Sequence, residues 1–504
     1  MTVRKRPTSL SSILPTAQMH RLSGALLLGA LALSACDSAG PDAGVTTTAA
    51  PALAAATAAP APTVDGLTAD PTPRLVLTTK GALSAAAVSD VEALGGTVVF
   101  SHPIGFTIVD GLTTDASSAL LGVVGVEAVE TDNVVERDPV DSGLEAVDAG
   151  VESPADAFFY GLGYQWHMDA IGAPTAWAAG RTGSSAVTVA IIDSGLDDTH
   201  LDLRGRVDAS RSRSFLPAGE LDYVIGDVLF PTFPDYADFN SHGTHVGATV
   251  ASNGVVGAGV TEDVTLMAVK VCRYNNSCSG SAIIAGILYA ADNGADVANM
   301  SLGGTFNKSD FPGYVGFLNK TFNYASRQGM TIVVSAGNSA ADLDHDGDSY
   351  KTYCTTPATF CVSATGPQAT DNIRTGPFYD IKAPSSFTNY GRSAINVAAP
   401  GGDSNGFVWA ACSSSRVVVA DGFIRPSNCT TSKGFITAKA GTSMAAPHVS
   451  GLAALLVEDY GRAPSRIQNR IQQTADDLGQ RGTDPYYGKG YINVPAALGL
   501  RPNV

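Results

Sequence analysis

Three polar side chains sit where apolar runs meet small residues, far apart along the chain. Asp193 closes "VAIID", His242 opens "HGTHVGATVA", and Ser443 lies inside "AGTSMAAPHV". A serine hydroxyl is a poor nucleophile at neutral pH. An imidazole must take its proton, and a carboxylate must fix that imidazole's tautomer and stabilise its charged form. The chain supplies all three groups, in the order Asp, His, Ser. Gly441 and Thr442 keep bulk away from Ser443, so a substrate backbone can approach it. The run "VSGLAALLVEDYG" that follows is apolar on most faces and predicts a buried helix. The N–H groups of its first turn would favour negative charge beside the serine. Pro447 is expected in that first turn, where its missing donor does little harm. His245 and His448 read as structural neighbours.

These residues need a frame that brings them together. From about Gln165 the chain alternates short apolar runs with helical stretches. The strand candidates are "AVTVAIID", "TLMAVKVC", "ADVANMSL", "MTIVVSAGN", "FCVSATG" and "INVAAPG". "SAIIAGILYAADNG" and "VGFLNKTFNYASRQG" read as helices. Near-continuous apolar strands alternating with helices predict an α/β fold with a parallel sheet covered on both faces. Sites in such sheets form at the carboxyl ends of strands, which puts Asp193 and Asn338 on the working edge.

The upstream half is organised differently. Basic residues at 4–6 and Arg21 precede a short apolar run, Leu22–Leu33, too short to span a bilayer and suited to a signal sequence. The following "LSAC" resembles a bacterial lipobox, which implies a lipoprotein-type signal over 1–35, lipid on Cys36 and export. Residues 36–72 are rich in Ala, Pro, Thr and Gly and read as a disordered tether. Residues 73–138 alternate strand and helix patterns, a small α+β domain. Residues 139–160 are acidic and irregular, a linker. The remainder, 161–504, is the catalytic part.

Acidic residues outnumber basic ones, 47 to 31, for a net charge of −16. No concentrated positive patch exists to meet phosphates, which excludes nucleic acid as a partner. Seven cysteines are present. With Cys36 lipidated, Cys272, Cys278, Cys354, Cys361, Cys412 and Cys429 form three sequence-close pairs. Disulfides are expected in an exported chain, paired between neighbours, although the sequence leaves other connectivities open.

"IIDSG", "HGTHV" and "GTSMAAPHVSG" together resemble the active-site signatures of subtilisin-like (subtilase) serine peptidases. "ADVANMSLGG" resembles the family's substrate-binding edge strand, and "VVSAGN" the segment carrying its oxyanion asparagine. The resemblance implies a subtilisin-like parallel sheet and a serine endopeptidase acting through an acyl-enzyme. Ser443 would be the nucleophile, His242 the base, Asp193 its orienter, and Asn338 an oxyanion donor. Ser301, Leu302, Gly303 and Gly304, with Ser279 and Gly280, would line the two edges of a peptide cleft. The 73–138 block resembles the family's inhibitory propeptide, making this an autoprocessed zymogen cut within 139–160. Polypeptides are the implied substrates, with broad specificity and apolar or aromatic preference before the cut, given Gly303, Gly304, Ala336 and Gly337. A monomer is expected, at the cell envelope or outside the cell after self-cleavage.

The chain departs from the pattern in places. Gly247–Ala248 reverses the order of many relatives, and the insertion that builds a tight calcium site in some is missing. Val246 stands where some carry a cysteine. No cofactor is required for the chemistry. A structural Ca²⁺ is a candidate at "DLDHDGDSY", through Asp342, Asp344, Asp346 and Asp348 around Gly347. The alternative to an enzyme is a binding lipoprotein on the same fold, and the intact Asp193, His242, Ser443 and Asn338 set speaks against it.

Overall fold

Six consecutive buried residues, Thr188–Asp193, form the strand that ends on the first catalytic candidate. Alternate side chains leave opposite faces of a strand. Val189 and Ile191 therefore join one core with Val246, Val449 and Leu452. Ala190 and Ile192 join another with Ile283, Ile287, Leu318 and Phe322. A strand clad on both faces must be apolar throughout, as the sequence pattern requires. The structure, a computed structural model, describes residues 71–136, 141–146, 157–420, 423–431 and 434–500. The signal segment, Cys36 and nearly all of the tether lie outside them. Among the described residues, no helix is long and apolar enough to cross a membrane.

Seven strands make the central sheet, in the order Val397–Pro400, Thr359–Thr365, Thr331–Ser335, Val297–Met300, Thr188–Asp193, Thr265–Lys270 and Arg213–Ser214. All six pairings are parallel. Helices His242–Val250 and Thr442–Tyr460 cover one face. Helices Gly280–Asp292 and Pro312–Arg327 cover the other. The six cysteines pair as neighbours: Cys272 with Cys278, Cys354 with Cys361, and Cys412 with Cys429.

The upstream block is a four-stranded antiparallel sheet, ordered Thr97–His102, Phe106–Asp110, Arg74–Thr79 and Val126–Thr131. Leu75, Leu77 and Val109 face the helix Ala85–Ala93. Val76, Phe106 and Ile108 join the core of the central sheet's second face instead. Phe106 meets Phe317 edge-on, 5.0 Å between centroids. Asp132 accepts from the Ser281 N–H (2.8 Å) and the Ser279 hydroxyl (2.6 Å), at the head of Gly280–Asp292. A carboxylate there meets the positive end of the helix.

After the block, Val134–Glu136 pairs antiparallel with Ser277–Ser279. Asp141–Ala146 then pairs antiparallel with Ile436–Ala440. The sequence predicts an irregular stretch over 139–160, yet 141–146 is a strand. Its order comes from an edge strand distant in sequence, which local composition does not encode.

Lys270, at the end of the strand beside Thr188–Asp193, is 1% exposed. Its ammonium meets Asp222 at 2.9 Å and donates to the carbonyls of Ser194 and Ala237, each at 2.9 Å. One buried cation thus pins the two loops that flank Asp193. Removing a single partner of a buried pair typically costs about 3–5 kcal/mol, whereas apolar replacement of both is often neutral. Asp222→Ala is expected to lower unfolding free energy in urea by that amount, and Lys270→Met with Asp222→Leu to recover most of it. Equal stabilities for the single and double variants would refute this role.

Candidate active site

The approach of two backbones sets the first half of the site. Gly195 has φ +111°, and a Cβ on it would strike the carbonyl of Tyr236. A Cβ on Gly243 would strike the carbonyl of Gly195. Only glycine at 243 lets the head of the histidine helix come this close to the end of the aspartate strand. The result is a short contact: His242 Nδ1 lies 2.8 and 2.9 Å from the two oxygens of Asp193. The Ser194 N–H also donates to Asp193 Oδ1, at 2.7 Å. His242 and Asp193 are both buried.

Asp238 was not singled out from the sequence, and the structure makes it the anchor of this corner. It is fully buried. Its Oδ1 accepts from the Ser194 hydroxyl and the Ser241 N–H, each at 2.8 Å. Its Oδ2 accepts from the N–H and hydroxyl of Thr244, at 2.8 and 2.7 Å. Ser241, immediately before His242, is held at φ +77°, a region costly for a residue with a Cβ. The signal in the sequence was an acidic residue four positions before the histidine, a common helix-capping pattern without chemical meaning by itself.

The second half is built around the head of Thr442–Tyr460. Asn338 Oδ1 accepts from both the N–H and the hydroxyl of Thr442, each at 2.8 Å. This turns its amide nitrogen to the opposite side. The Ser443 hydroxyl donates to the Ser301 carbonyl at 3.2 Å, and the Ser301 hydroxyl donates to the Ser443 carbonyl at 2.7 Å. Pro447 explains why that carbonyl is available. It is the sixth residue of the helix, inside it rather than in the first turn as expected. A residue there would normally donate to the carbonyl four positions back, that of Ser443. Proline cannot, and Ser301 donates in its place. The two helices carrying His242 and Ser443 pack against each other, which joins the halves.

The substrate edges expected from sequence are also adjacent, and a strand already lies on them. Val135 sits opposite Cys278. The Gly280 N–H donates to the Asn133 carbonyl at 2.8 Å. A Cβ on Gly304 would run into the Val135 side chain and lie 2.8 Å from the Glu136 carbonyl. Leu302 and Val135 are buried in one apolar cluster.

The four candidate calcium carboxylates are not brought together. Asp342 meets His345 at 2.8 Å. Asp344 accepts from the N–H groups of Arg392 and Ser393, at 2.7 and 3.1 Å. Asp346 pairs with Lys308 at 3.1 Å, and Asp348 accepts from Ser309. Each is aimed at a different element. Among the described residues no group of three His, Cys, Asp or Glu side chains is placed to hold a metal ion.

Beneath the site lie three buried histidines. His448 Nδ1 is 2.8 Å from the Met444 carbonyl, so it carries the proton there. Its Nε2 then accepts from His167 Nδ1, also at 2.8 Å. His245 Nε2 meets the Val408 carbonyl at 3.1 Å. The bond between the two rings requires His448 to be neutral, since its Nε2 accepts. Burial lowers all three pKa values, to about 4 for His448 and well below the ordinary value for His167 and His245.

Comparison with known proteins follows the same outline. The family whose model matches is the subtilase family, over residues 184–490. Thermitase of Thermoactinomyces vulgaris is 30% identical over 69% of this chain and 99% of its own length. Subtilisin DY of Bacillus licheniformis is 34% identical over 64% of this chain and 93% of its own. The solved epidermin leader peptide processing serine protease of Staphylococcus aureus superposes with a TM-score of 0.63 at 18% identity. It covers 86% of this chain and 99% of its own. That likeness speaks to the fold alone.

The depressed histidine pKa values carry a sign. The unfolded chain takes up these protons as pH falls through about 6.5, and the folded chain resists. Stability present above that pH is therefore lost as pH falls toward about 4. His448 alone accounts for up to about 3 kcal/mol. Urea midpoints measured from pH 7 to pH 4 are expected to fall across this window, and His448→Gln to flatten the slope. A flat wild-type profile between pH 6.5 and 4.5 would contradict it.

Proposed function

The chain belongs to the subtilase family of serine peptidases, and on that footing we propose that Asp193, His242 and Ser443 form its catalytic triad with Asn338 as the oxyanion donor. The observation that carries the reading is the buried Asp193–His242 contact at 2.8 and 2.9 Å. It engages Nδ1 and so directs Nε2 to the reaction. Ser443 Oγ attacks the scissile carbonyl while His242 Nε2 takes its proton. The same nitrogen returns the proton to the leaving amine. Water then hydrolyses the acyl-enzyme by the reverse use of the imidazole. The Asn338 amide, turned away from Thr442, meets the oxyanion together with the Ser443 N–H. Subtilase catalysis requires no cofactor.

The substrate would lie as an extended strand between Ser277–Gly280 and Ser301–Gly304, held through its main chain. Recognition of that kind does not read side chains, which supports broad specificity. The upstream block is proposed as an intramolecular inhibitor. Its support is the strand Val134–Glu136 lying on both cleft edges. Export as a lipoprotein through Cys36 rests on the signal-like N-terminus and agrees with three disulfides.

The purified, matured protein is expected to hydrolyse casein. Ser443→Ala is expected to abolish this, a loss of about 10⁶ in kcat, and to leave the precursor uncut. Asn338→Ala is expected to lower kcat by about 10² to 10³ with little change in KM. Folded, matured protein that neither cleaves casein nor reacts with serine-directed covalent inhibitors would end the proposal.

A further inference from the structure

A cavity of about 320 Å³ opens between the upstream block and the catalytic part, and no residue of the candidate active site lines it. Val99, Phe100 and Ile108 of the block form one share of its wall, and Phe215, Leu216 and Tyr223 the other. Phe100 and Phe215 pack on the core of the central sheet's second face, so the walls are backed by fixed structure. The Thr72 N–H donates to the carbonyl of Ala218, at the cavity's edge, at 2.9 Å and ties the two shares together.

Most polar groups of this wall are already satisfied. Arg74 holds both oxygens of Asp110, at 2.6 and 2.9 Å, and donates to the Phe215 carbonyl at 2.8 Å. The two charges cancel. The Tyr223 hydroxyl is engaged by Ser214 and the Leu216 carbonyl. Arg213 differs. It is exposed, and among the described residues no carboxylate pairs with it. Its guanidinium carbon lies 5.3 Å from the ring centre of Phe215 and 5.4 Å from that of Tyr289. Those rings meet edge-on at 5.2 Å. Stacking on the rings holds the guanidinium by its face and leaves its N–H groups to be used. The Tyr289 hydroxyl also has no hydrogen-bond partner among the described residues.

An apolar hollow with a few convergent polar groups is the usual form of a small-molecule site. The polar groups here are one uncompensated cation and one hydroxyl donor. A guanidinium fork matches the two oxygens of a carboxylate. A cationic ligand would be repelled, and a neutral one would leave the fork unused. We propose that this cavity binds a small apolar carboxylate, its body on Phe100, Ile108 and Phe215 and its charge on Arg213 and Tyr289, and that such a ligand holds the block to the catalytic part. The walls come from both units, so the ligand fits only the docked state and must favour it. The inference does not depend on the chemistry at Ser443. A fatty acid and a peptide ending in an apolar residue share the required chemistry.

The test titrates the full-length chain carrying Ser443→Ala with octanoate and with N-acetylphenylalanine, each against its amide, by calorimetry. At least one carboxylate is expected to fill a single site per chain. Its amide is expected to bind about tenfold or more weakly, the usual weight of a hydrogen bond to a charged group. Binding of octanoate alone assigns a fatty acid, binding of N-acetylphenylalanine alone a peptide C-terminus, and binding of both the shared chemistry; each supports the site. Arg213→Gln alters an exposed side chain and is expected to bind acid and amide alike, both weakly. Val99 is 45% exposed, and Val99→Trp is expected to fill the cavity mouth and abolish binding. At saturation, amide hydrogen exchange is expected to slow in both Thr97–His102 and Arg213–Phe215. The proposal is overturned by no saturable binding of either carboxylate, by equal affinity for acid and amide, or by full affinity in Arg213→Gln or Val99→Trp. Slowed exchange on one side alone also overturns it. None of these outcomes touches the peptidase reading, which casein hydrolysis tests separately.

Discussion

An imidazole can serve a serine only if its far nitrogen is held, and here that hold depends on two glycines in van der Waals conflict with anything larger. Gly243 meets the carbonyl of Gly195 where a Cβ would collide. That approach brings the histidine helix onto the end of the Thr188–Asp193 strand and sets Nδ1 against both Asp193 oxygens. Asp238 and Lys270 then lock the flanking loops from inside, one through five hydrogen bonds and the other through an ion pair and two carbonyls. The corner is rigid because its polar groups are buried and mutually satisfied.

Ser443 is held by a different device. Thr442–Tyr460 is apolar on nearly every face and packs in the core, so the serine at its head has little freedom. Pro447 opens one hydrogen bond of the helix, and the freed Ser443 carbonyl is taken by the Ser301 hydroxyl. A helix-breaking residue thus leads to a tie between Ser443 and Ser301. The neutral histidines 167, 245 and 448 complete the floor and bind this region's stability to pH.

The upstream block uses the same elements from outside. Its sheet buries Val76, Phe106 and Ile108 on the two helices that cover the second face, and Asp132 meets the head of one of them. Its trailing strand, Val134–Glu136, pairs with Ser277–Ser279 and lies against Gly304. The surface through which the block packs on these helices is therefore continuous with the strand that pairs at Ser277–Ser279.

The apolar strands, their alternation with helices, and the Asp193, His242, Asn338 and Ser443 motifs were legible in the sequence, because burial on both faces and crowding by glycine leave local marks. The neighbouring cysteine pairs were expected as well. Pro447's place in its helix, the anchoring by Asp238, and the strand at 141–146 were not legible. Each takes its meaning from a partner far away in the chain: Ser301, the Ser194 and Thr244 corner, and the edge at 436–440. The acidic loop 342–348 shows the converse. Its spacing suits a cation, but the folded chain offers each carboxylate its own partner. Sequence alone determined which side chains are available and which elements carry them. Only the tertiary structure decided which groups meet, because hydrogen bonds and close backbone contacts depend on distances that no local pattern specifies.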